Sequence, residues 1–428
     1  MKINKNQIDE HNRKSADGHQ DALRLLEDQL SKNGISPDDL VQKLSDFQVA
    51  IPSWALGAGG TRFGRFKMGG EPRTLEEKIE DVGIIHALNG SSGAISLHIP
   101  WDIPDDTEAI RQKADALDLL FDAVNSNTFQ DQPDQKFSYK FGSLSHTDSR
   151  VREQAVAHNK EVIKIGKELG SKALTVWLAD GSNFPGQQNL RKALDRTRQS
   201  LEDVYSDLPS DWTMLIEYKP FEPNFYSMVI PDWGTSFLLA SKLGDRAKTL
   251  VDLGHHLPNT NIEQIVATLM MENKLGGFHF NDSKYADDDL TTGSIKPYQL
   301  FLIFCELTDQ VDNPDDTTFS DLAWMIDASH NVKDPLEDLL QSVEAIQIAY
   351  ARAQILDRKE LESARRDNDV ARAQDILQEA FRTDVRPLLR ESRLKNGAAI
   401  QPEILFRELN VRDQLVRVRG SDSTATGL

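Results

Sequence analysis

The chain is poor in cysteine, in long apolar runs and in positive charge. Its 428 residues include one cysteine, Cys305, in the apolar run LFLIFCEL, so no internal disulfide can form and the thiol is predicted to be a reduced core residue. No apolar run approaches the ~20 residues of a membrane span, and the opening MKINKNQIDEHNRK lacks the apolar stretch of a secretory signal. We therefore expect a cytoplasmic protein that contacts no membrane.

The shortage of positive charge also limits the partners. With 49 Lys and Arg against 68 Asp and Glu, the formal net charge is -19. An acidic surface offers no counter-charge to nucleic acid or to an anionic membrane, so we expect neither as a partner. The charge suits a neutral small molecule or a cation instead.

Eight short β-like runs recur along the middle of the chain, and most stay apolar until they end in polar residues, as strands covered on both faces do. Segments with helical spacing lie between them. Eight strands alternating with helices predict an α/β fold, a (β/α)8 TIM barrel. A doubly wound open sheet is the alternative, but the first junction, SWALGAGGTRFGRF, has no G-x-G-x-x-G turn leading straight into a helix. The runs occupy 47–54, 93–100, 121–127, 172–180, 213–220, 247–256, 275–282 and 320–327.

The remaining segments flank the barrel. Residues 1–46 are predicted to form an N-terminal helical extension, in which Ser36 before Pro37 marks a helix start. The catalytic barrel is predicted over 47–333. Residues 334–428 are predicted as a C-terminal helical extension, with helices to about Arg393 and a small, polar, disordered end, GSDSTATGL.

Polar side chains collect where the predicted strands end. In a TIM barrel the loops after these ends build the active site, so chemistry is expected there. In chain order these residues are His98, Trp177, Asp180, Glu217, Lys219, Asp252, His255, His279 and Asp327.

Glu217 and Asp252 carry the strongest single signals. Each interrupts an apolar strand, where a lone carboxylate is costly unless it is paired or bound to a cation, although a structural role is the plainer alternative. Glu217 and Lys219 are two residues apart and so face the same side of a strand, while Tyr218 faces the other. His279 lies between two phenylalanines and, taken alone, is typical of a core histidine.

Together these residues predict a metal site. Three carboxylates and two imidazoles from four consecutive strand ends form the mixed donor set that suits Mn²⁺, Co²⁺, Zn²⁺ or Mg²⁺. The acidic run SKYADDDL, by itself typical of a solvated loop, then gains a second interpretation. Asp287 and Asp289 are predicted to reach toward a second cation beside His255, with Asp288 facing solvent and His279 a ligand on the strand.

Two weaker signals stay open. The segment GAGGTRFGRF, residues 57–66, matches no P-loop spacing and favours a mobile loop over the barrel mouth rather than a phosphate cradle. Trp54 and Trp177 stand at strand ends, where packing is the common role, but aromatic side chains also line sugar sites.

A series of longer motifs resembles one family. SWALGAGGTRF, SLHIPWD, ALTVW before DGSNFPGQ, VDLGHH before PNTNIE, GGFHFNDSKY before DDDL, and MID before SHN are similar to the L-rhamnose isomerases of the Pseudomonas type, within the xylose-isomerase-like barrel superfamily. The resemblance extends from about residue 45 to 390. It implies a metal-dependent aldose–ketose isomerase that acts on L-rhamnose and often on other sugars, and a homotetramer.

The resemblance also implies residue roles and two divalent cations per chain, with Mn²⁺ the first choice and Co²⁺, Zn²⁺ or Mg²⁺ as alternatives. The implied ligands of a structural cation are Glu217, Asp252, His279 and Asp327. Those of a catalytic cation are His255, Asp287 and Asp289, with Glu217 a candidate bridge. The implied catalytic residues are Lys219, His98, Glu217 and Asp327, and the implied sugar-binding residues are Trp54, His98, Trp177 and Lys219.

One departure from the family pattern is visible. The family strand reads Glu-His-Lys, whereas this chain has Glu217, Tyr218 and Lys219. Because the middle residue points away from its neighbours, the cation sites are expected to survive, while the packing behind them and the preferred sugar could differ.

The implied reaction moves hydrogen between C1 and C2, so negative charge on O1 and O2 must be stabilised, and two cations would do this as Lewis acids. We favour a hydride shift after ring opening, with Lys219 near the carbonyl oxygen and His98 assisting ring opening. Abstraction of the C2 proton by a carboxylate is the alternative. The rival functions are a metal-dependent endonuclease, which the net charge opposes, and a sugar-binding barrel without turnover, which leaves Lys219 unexplained.

Overall fold

Eight parallel strands form a barrel in the computed structural model of the protein, which describes residues 2–57, 59, 66–309, 319, 321–330 and 332–422. Neighbouring strands pair in chain order, and a parallel bridge from Ala50 to Met325 joins the last strand to the first. Each strand overlaps one of the eight predicted runs, which confirms the (β/α)8 barrel. The barrel strands are β1 Ile51–Pro52, β2 Ala94–Ile99, β3 Leu120–Ser126, β4 Ala173–Val176, β6 Thr213–Glu217, β8 Ala247–Asp252, β9 Leu275–Phe280 and β10 Ala323–Ile326.

A short antiparallel pair, β5 Gly181–Ser182 and β7 Ser227–Met228, lies outside the barrel. It joins the loop after β4 to the loop after β6. The sequence did not predict it, because strands of two residues show no periodicity.

A helix follows each barrel strand and packs outside it. The sequence defines the ends of these helices. In the helix Ser149–Leu169, for example, Asp148 caps the start, and Gly170 ends it with φ 97°, a left-handed conformation that favours glycine. The last helix of the ring packs against both its predecessor and the first. The ring helices are α3 Leu75–Asn89, α4 Thr107–Asp115, α5 Ser149–Leu169, α6 Leu190–Ser206, α7 Trp233–Leu243, α8 Ile262–Met271, α9 Pro297–Leu307 and α10 Pro335–Gln354.

The flanking segments are helical, as predicted, and α2 begins where expected, with the Ser36 side chain accepting the N–H of Asp39. The expected end of the C-terminal helices near Arg393 was wrong, since two more helices continue to Arg419. These have seven and nine residues, too few for a clear periodic pattern. The flanking helices are α1 Lys5–Lys32, α2 Pro37–Asp46, α11 Arg358–Arg366, α12 Val370–Arg382, α13 Arg386–Lys395, α14 Pro402–Glu408 and α15 Val411–Arg419.

The terminal helices pack on one another and on the ring. His11 of α1 lies 3.0 Å from Glu408 of α14, and Arg419 of α15 contacts Asp81 of α3 at 2.8 Å. One apolar core contains residues from all three predicted parts of the chain. Their division into separate units therefore stays a prediction.

The core is aromatic behind the last two strands. Phe278, Phe280 and Trp324 stack with nearly parallel rings, and Phe304 of α9 continues the stack. The neighbouring Cys305 is buried and unpaired, as expected, and burial raises the pKa of its thiol to about 12. Among the described helices, none combines the length and apolar composition of a membrane crossing.

Some predictions fall on parts of the chain outside the described residues. These are 58 and 60–65 of the predicted loop, 331 of the SHN motif, and 423–428 of the predicted tail.

Candidate active site

A first cluster of donors lies at the carboxyl ends of four consecutive barrel strands. They are Glu217 and Asp252 at the ends of β6 and β8, His279 as the penultimate residue of β9, and Asp327 directly after β10. One donor atom of each lies within 4.8 Å of the others. The Nδ1 atom of His279 is 3.2 Å from the Glu217 carboxylate, 3.7 Å from that of Asp252 and 3.9 Å from that of Asp327. These are the four residues that the family resemblance implied as the ligands of one cation.

A second cluster adjoins the first and shares a residue with it. Asp252, His255 and Asp287 also bring donor atoms within 4.8 Å of one another. The two ring nitrogens of His255 lie 3.1 Å from Glu217 and 3.2 Å from Asp287, so the imidazole stands between the clusters. The family resemblance had implied Asp252 as a ligand of the first cation alone.

The acidic run after β9 divides as the alternation of its residues suggested. Asp287 and Asp289 are buried and line the cleft. Asp289 sits beside the second cluster, where it accepts hydrogen bonds from Ser329 at 3.0 Å and Asn281 at 3.4 Å. Asp288 turns away, but it is half-buried rather than freely solvated, because it accepts the backbone N–H groups of its own loop at 2.7 and 2.9 Å.

A hydrogen-bond network around Asp338 of α10 holds the loops that follow β9 and β10. His330 lies 2.7 Å from Asp338 of α10, which also contacts Thr291 and Lys333. Burial alone would raise the pKa of Asp338, but these hydrogen bonds lower it to about 2. The network therefore ties the segment after Asp289 to the loop after β10.

The donor sets fit a divalent cation. Asp252 Oδ2 and both ring nitrogens of His279 are buried, and among the described residues no group forms a hydrogen bond of normal geometry with them. Buried polar atoms are rarely left in this state, and an ion bound among the four residues would satisfy Asp252 Oδ2 and the Nδ1 atom of His279. Carboxylate oxygens with imidazole nitrogens form the mixture that Mn²⁺, Co²⁺ and Zn²⁺ accept, while Mg²⁺ prefers oxygen alone.

The electrostatics of the two clusters also favour a bound cation. Burial alone would raise the pKa of Glu217, but the imidazoles of His279 and His255 lower it to about 2. Burial would lower the pKa of His279, but Glu217 and the other carboxylates raise it to about 10. Burial and nearby carboxylates raise the pKa of Asp327 to about 7, although His279 opposes this. The site carries more negative charge than its imidazoles can balance, and this excess favours a cation.

Lys219 faces the same cleft as Glu217, as the strand alternation predicted. Its ammonium lies 2.5 Å from Asp287 and stands over the ring of Trp177, 5.3 Å from the ring centre. Burial would lower the pKa of Lys219, but Asp287 and neighbouring carboxylates raise it, so the group stays charged inside the cleft.

Aromatic side chains form the wall opposite the donors, around a cavity of about 660 Å³. The ring of His98 lies 4.4 Å from Trp101, 5.3 Å from Trp54 and 5.4 Å from Phe129. Trp54 also donates its indole N–H to Asp327 at 2.8 Å. This hydrogen bond connects the aromatic wall to the first donor cluster. Burial lowers the pKa of His98 to about 3, so its imidazole is neutral at physiological pH.

The backbone of His98 is fixed by a buried ion pair. Asp102 accepts the N–H of His98 at 2.8 Å and the hydroxyl of Ser53 at 2.5 Å, and it pairs with Lys78 of α3 at 2.6 Å. Because Ser53 precedes Trp54, one carboxylate holds both sides of the aromatic wall.

Three features of the site differ from, or were missing in, the sequence predictions. Asp180, a strand-end candidate, is structural, since it accepts the backbone N–H groups of Ser143 and Ser145 at 2.8 Å. Phe129 and Asn281 were missed, although Asn281 donates to Asp252 at 3.0 Å. Both lie just beyond strand ends, and that position was the signal that could have identified them.

The chain is similar in sequence to known proteins of one family. The xylose isomerase-like TIM barrel family model matches residues 90–316. A probable sugar isomerase of Rhizobium meliloti is 51% identical over 98% of this chain and 97% of its own. A probable sugar isomerase of Mesorhizobium japonicum is 52% identical over 94% and 93%.

Solved structures agree with the fold. An L-ribulose 3-epimerase structure matches with a TM-score of 0.51 and 14% identity, over 76% of this chain and 98% of the other. A 3-keto-D-glucoside 4-epimerase of E. coli matches with a TM-score of 0.50 and 12% identity, over 68% and 98%. At these identities the likeness concerns the fold alone.

Proposed function

The chain belongs to the xylose isomerase-like TIM barrel family, and on that premise we propose that it is a metal-dependent aldose–ketose isomerase that converts L-rhamnose to L-rhamnulose. Two relatives that are 51% and 52% identical to it are named probable sugar isomerases, which supports an activity as a sugar isomerase or epimerase. The observation that carries the metal dependence is the pair of donor clusters that share Asp252 at the open end of the barrel. The resemblance of the long motifs supports rhamnose as the sugar.

Bound divalent cations would supply Lewis acidity, which stabilises negative charge on the sugar oxygens O1 and O2. The residues that would hold one cation are Glu217, Asp252, His279 and Asp327. Those that would hold the other are Asp252, His255 and Asp287, with Asp289 beside them. We propose Mn²⁺ first, with Co²⁺, Zn²⁺ or Mg²⁺ as alternatives.

The other cleft residues bind and orient the sugar. Lys219 keeps a fixed positive charge between Asp287 and Trp177, where its ammonium can donate a hydrogen bond to the carbonyl oxygen of the open sugar. The neutral imidazole of His98 can accept a proton from the anomeric hydroxyl as the ring opens. Trp54 and Trp177 offer flat apolar faces to the C–H groups of the sugar.

For the hydrogen transfer itself we favour a hydride shift from C2 to C1 within the substrate. A sugar carrying deuterium at C2 should then give a ketose with the label at C1. Extensive exchange of the label with solvent would instead support a carboxylate that removes the C2 proton as a base.

Metal stripping followed by single-metal addition tests the proposal. We expect the stripped protein to form no ketose, and Mn²⁺ to restore conversion of L-rhamnose to L-rhamnulose within a panel of aldoses. Faster conversion of another aldose would keep the isomerase and change its preferred sugar. Binding of a sugar without any ketose product would favour a metal-stabilised sugar-binding barrel.

The assembly is a separate proposal. Family resemblance supports a homotetramer, and the acidic surface makes nucleic acid an unsuitable partner. Light scattering should give a mass four times that of one chain, and a monomer in solution would contradict this.

A further inference from the structure

A buried contact lies directly behind the donor clusters. Tyr218 directly follows β6, between Glu217 and Lys219, but its side chain points to the opposite face and is 1% exposed. Its hydroxyl oxygen lies 2.6 Å from Nε2 of His256, and the two rings meet edge to face with centres 5.3 Å apart. Each partner is thus the chain neighbour of a donor residue, Glu217 or His255.

The contact between Tyr218 and His256 holds the loop of residues 253–256, which lies beyond the hydrogen bonds between β6 and β8. The ladder between β6 and β8 pairs Glu217 with Leu250, and β8 ends at Asp252. Beyond it, the backbone N–H of Leu253 bonds to the carbonyl of His279 on the β9 side. Among the described residues, the polar contacts from residues 253–256 to the β6 side are Tyr218 to His256 and Glu217 to His255.

One of these two contacts uses donor groups of the site itself. The pairing of His255 with Glu217 joins two atoms that a cation would recruit, so it cannot serve as an independent support for the ligands. The Tyr218 contact lies outside the cleft and does not involve donor atoms. The contact between Tyr218 and His256 can therefore hold the loop both with and without a bound cation.

We infer that Tyr218 is a positioning residue which, through His256, holds His255 in place for the second cation. The inference rests on the proposed function, because it assumes that the second donor cluster binds an ion. A group that hydrogen-bonds a metal-binding imidazole directly typically contributes about 10- to 100-fold to metal affinity, and Tyr218 acts one residue further away, so we expect a loss near the lower end of that range. The first cluster has no member in the loop of residues 253–256, so its affinity should be spared.

Calorimetric titration of the metal-stripped full-length protein with Mn²⁺ tests this. We expect two ions per wild-type chain. Tyr218→Phe, which keeps the ring and removes only the hydroxyl, should bind one ion as before and the second about 10-fold more weakly. A matched control is Tyr205→Phe, because the Tyr205 hydroxyl accepts a hydrogen bond from the backbone N–H of Arg246, which precedes β8 at the end opposite to Asp252. This control should bind both ions normally.

A second pair of variants guards against a folding defect in Tyr218→Phe. His256→Gln keeps a polar group near the position of Nε2 and should retain most of the affinity for the second ion, whereas His256→Leu should lose it. Circular dichroism before each titration confirms that the chain is folded. Equal binding of both ions by wild type, Tyr218→Phe and His256→Leu would overturn this inference alone. A wild-type chain that binds fewer than two ions would overturn the inference and the two-cation proposal together.

Discussion

Replacement of His255 by alanine should separate the two cations. The imidazole lies 3.1 Å from Glu217 and 3.2 Å from Asp287, and it belongs to the second donor cluster only. The first cluster keeps all four of its donors in the variant. Since His255 lines the open cleft, water can fill the space that its ring leaves, and little packing energy is lost.

We expect His255→Ala to retain about one tightly held Mn²⁺ per chain and to melt within a few degrees of wild type at saturating Mn²⁺. Its isomerase activity should fall by about 10³-fold or more, since loss of one electrostatic stabiliser of a developing oxyanion typically costs 10²- to 10³-fold and here the whole ion is lost. His279→Ala and Asp252→Asn are the comparison variants, because both remove a donor of the first cluster, and both should lower metal content, activity and melting temperature together.

Metal analysis by mass spectrometry, a melting curve and a ketose assay on the same preparations give the three measurements. If His255→Ala loses both ions and unfolds early, the two clusters do not act as separate sites. If it keeps two ions and full turnover, His255 is not a ligand.

The remaining predictions concern carboxylates. Glu217→Gln should lose activity and metal content, because a neutral amide is a weaker donor than a carboxylate; a variant with full occupancy and near-normal turnover would contradict the assignment. Asp288→Asn should keep most activity, whereas Asp287→Asn and Asp289→Asn should bind the second ion weakly in a dye competition assay, and equal losses at all three positions would point to a general charge effect. Asp338 has its pKa lowered from 3.8 to about 2, so it should contribute about 2 kcal/mol above pH 4 that disappears as the pH falls toward 2; Asp338→Asn should thus melt earlier than wild type at pH 7 but not at pH 2, and an equal deficit at both would refute this.

The barrel was predictable because its signals are local. Each strand is a short apolar run that a polar residue ends, and each helix alternates apolar and charged positions at its own period. The candidate donors followed from the same pattern, since Glu217 and Asp252 end the strands β6 and β8. The pair β5 and β7 and the last two helices carried no such pattern, and the sequence did not predict them.

The local sequence pattern was enough to predict where the strands end and that Glu217 and Lys219 face the cleft while Tyr218 faces away, because side chains alternate along a strand. Folding of the whole chain was needed to place Asp252 in both clusters, and to bring the hydroxyl of Tyr218 to His256. These two contacts join residues far apart in the chain, and their distances depend on how closure of the barrel curves neighbouring strand ends toward one another. The directions of Asp287, Asp288 and Asp289 also depend on the fold, because they lie in a loop in which Asp289 has φ 47°.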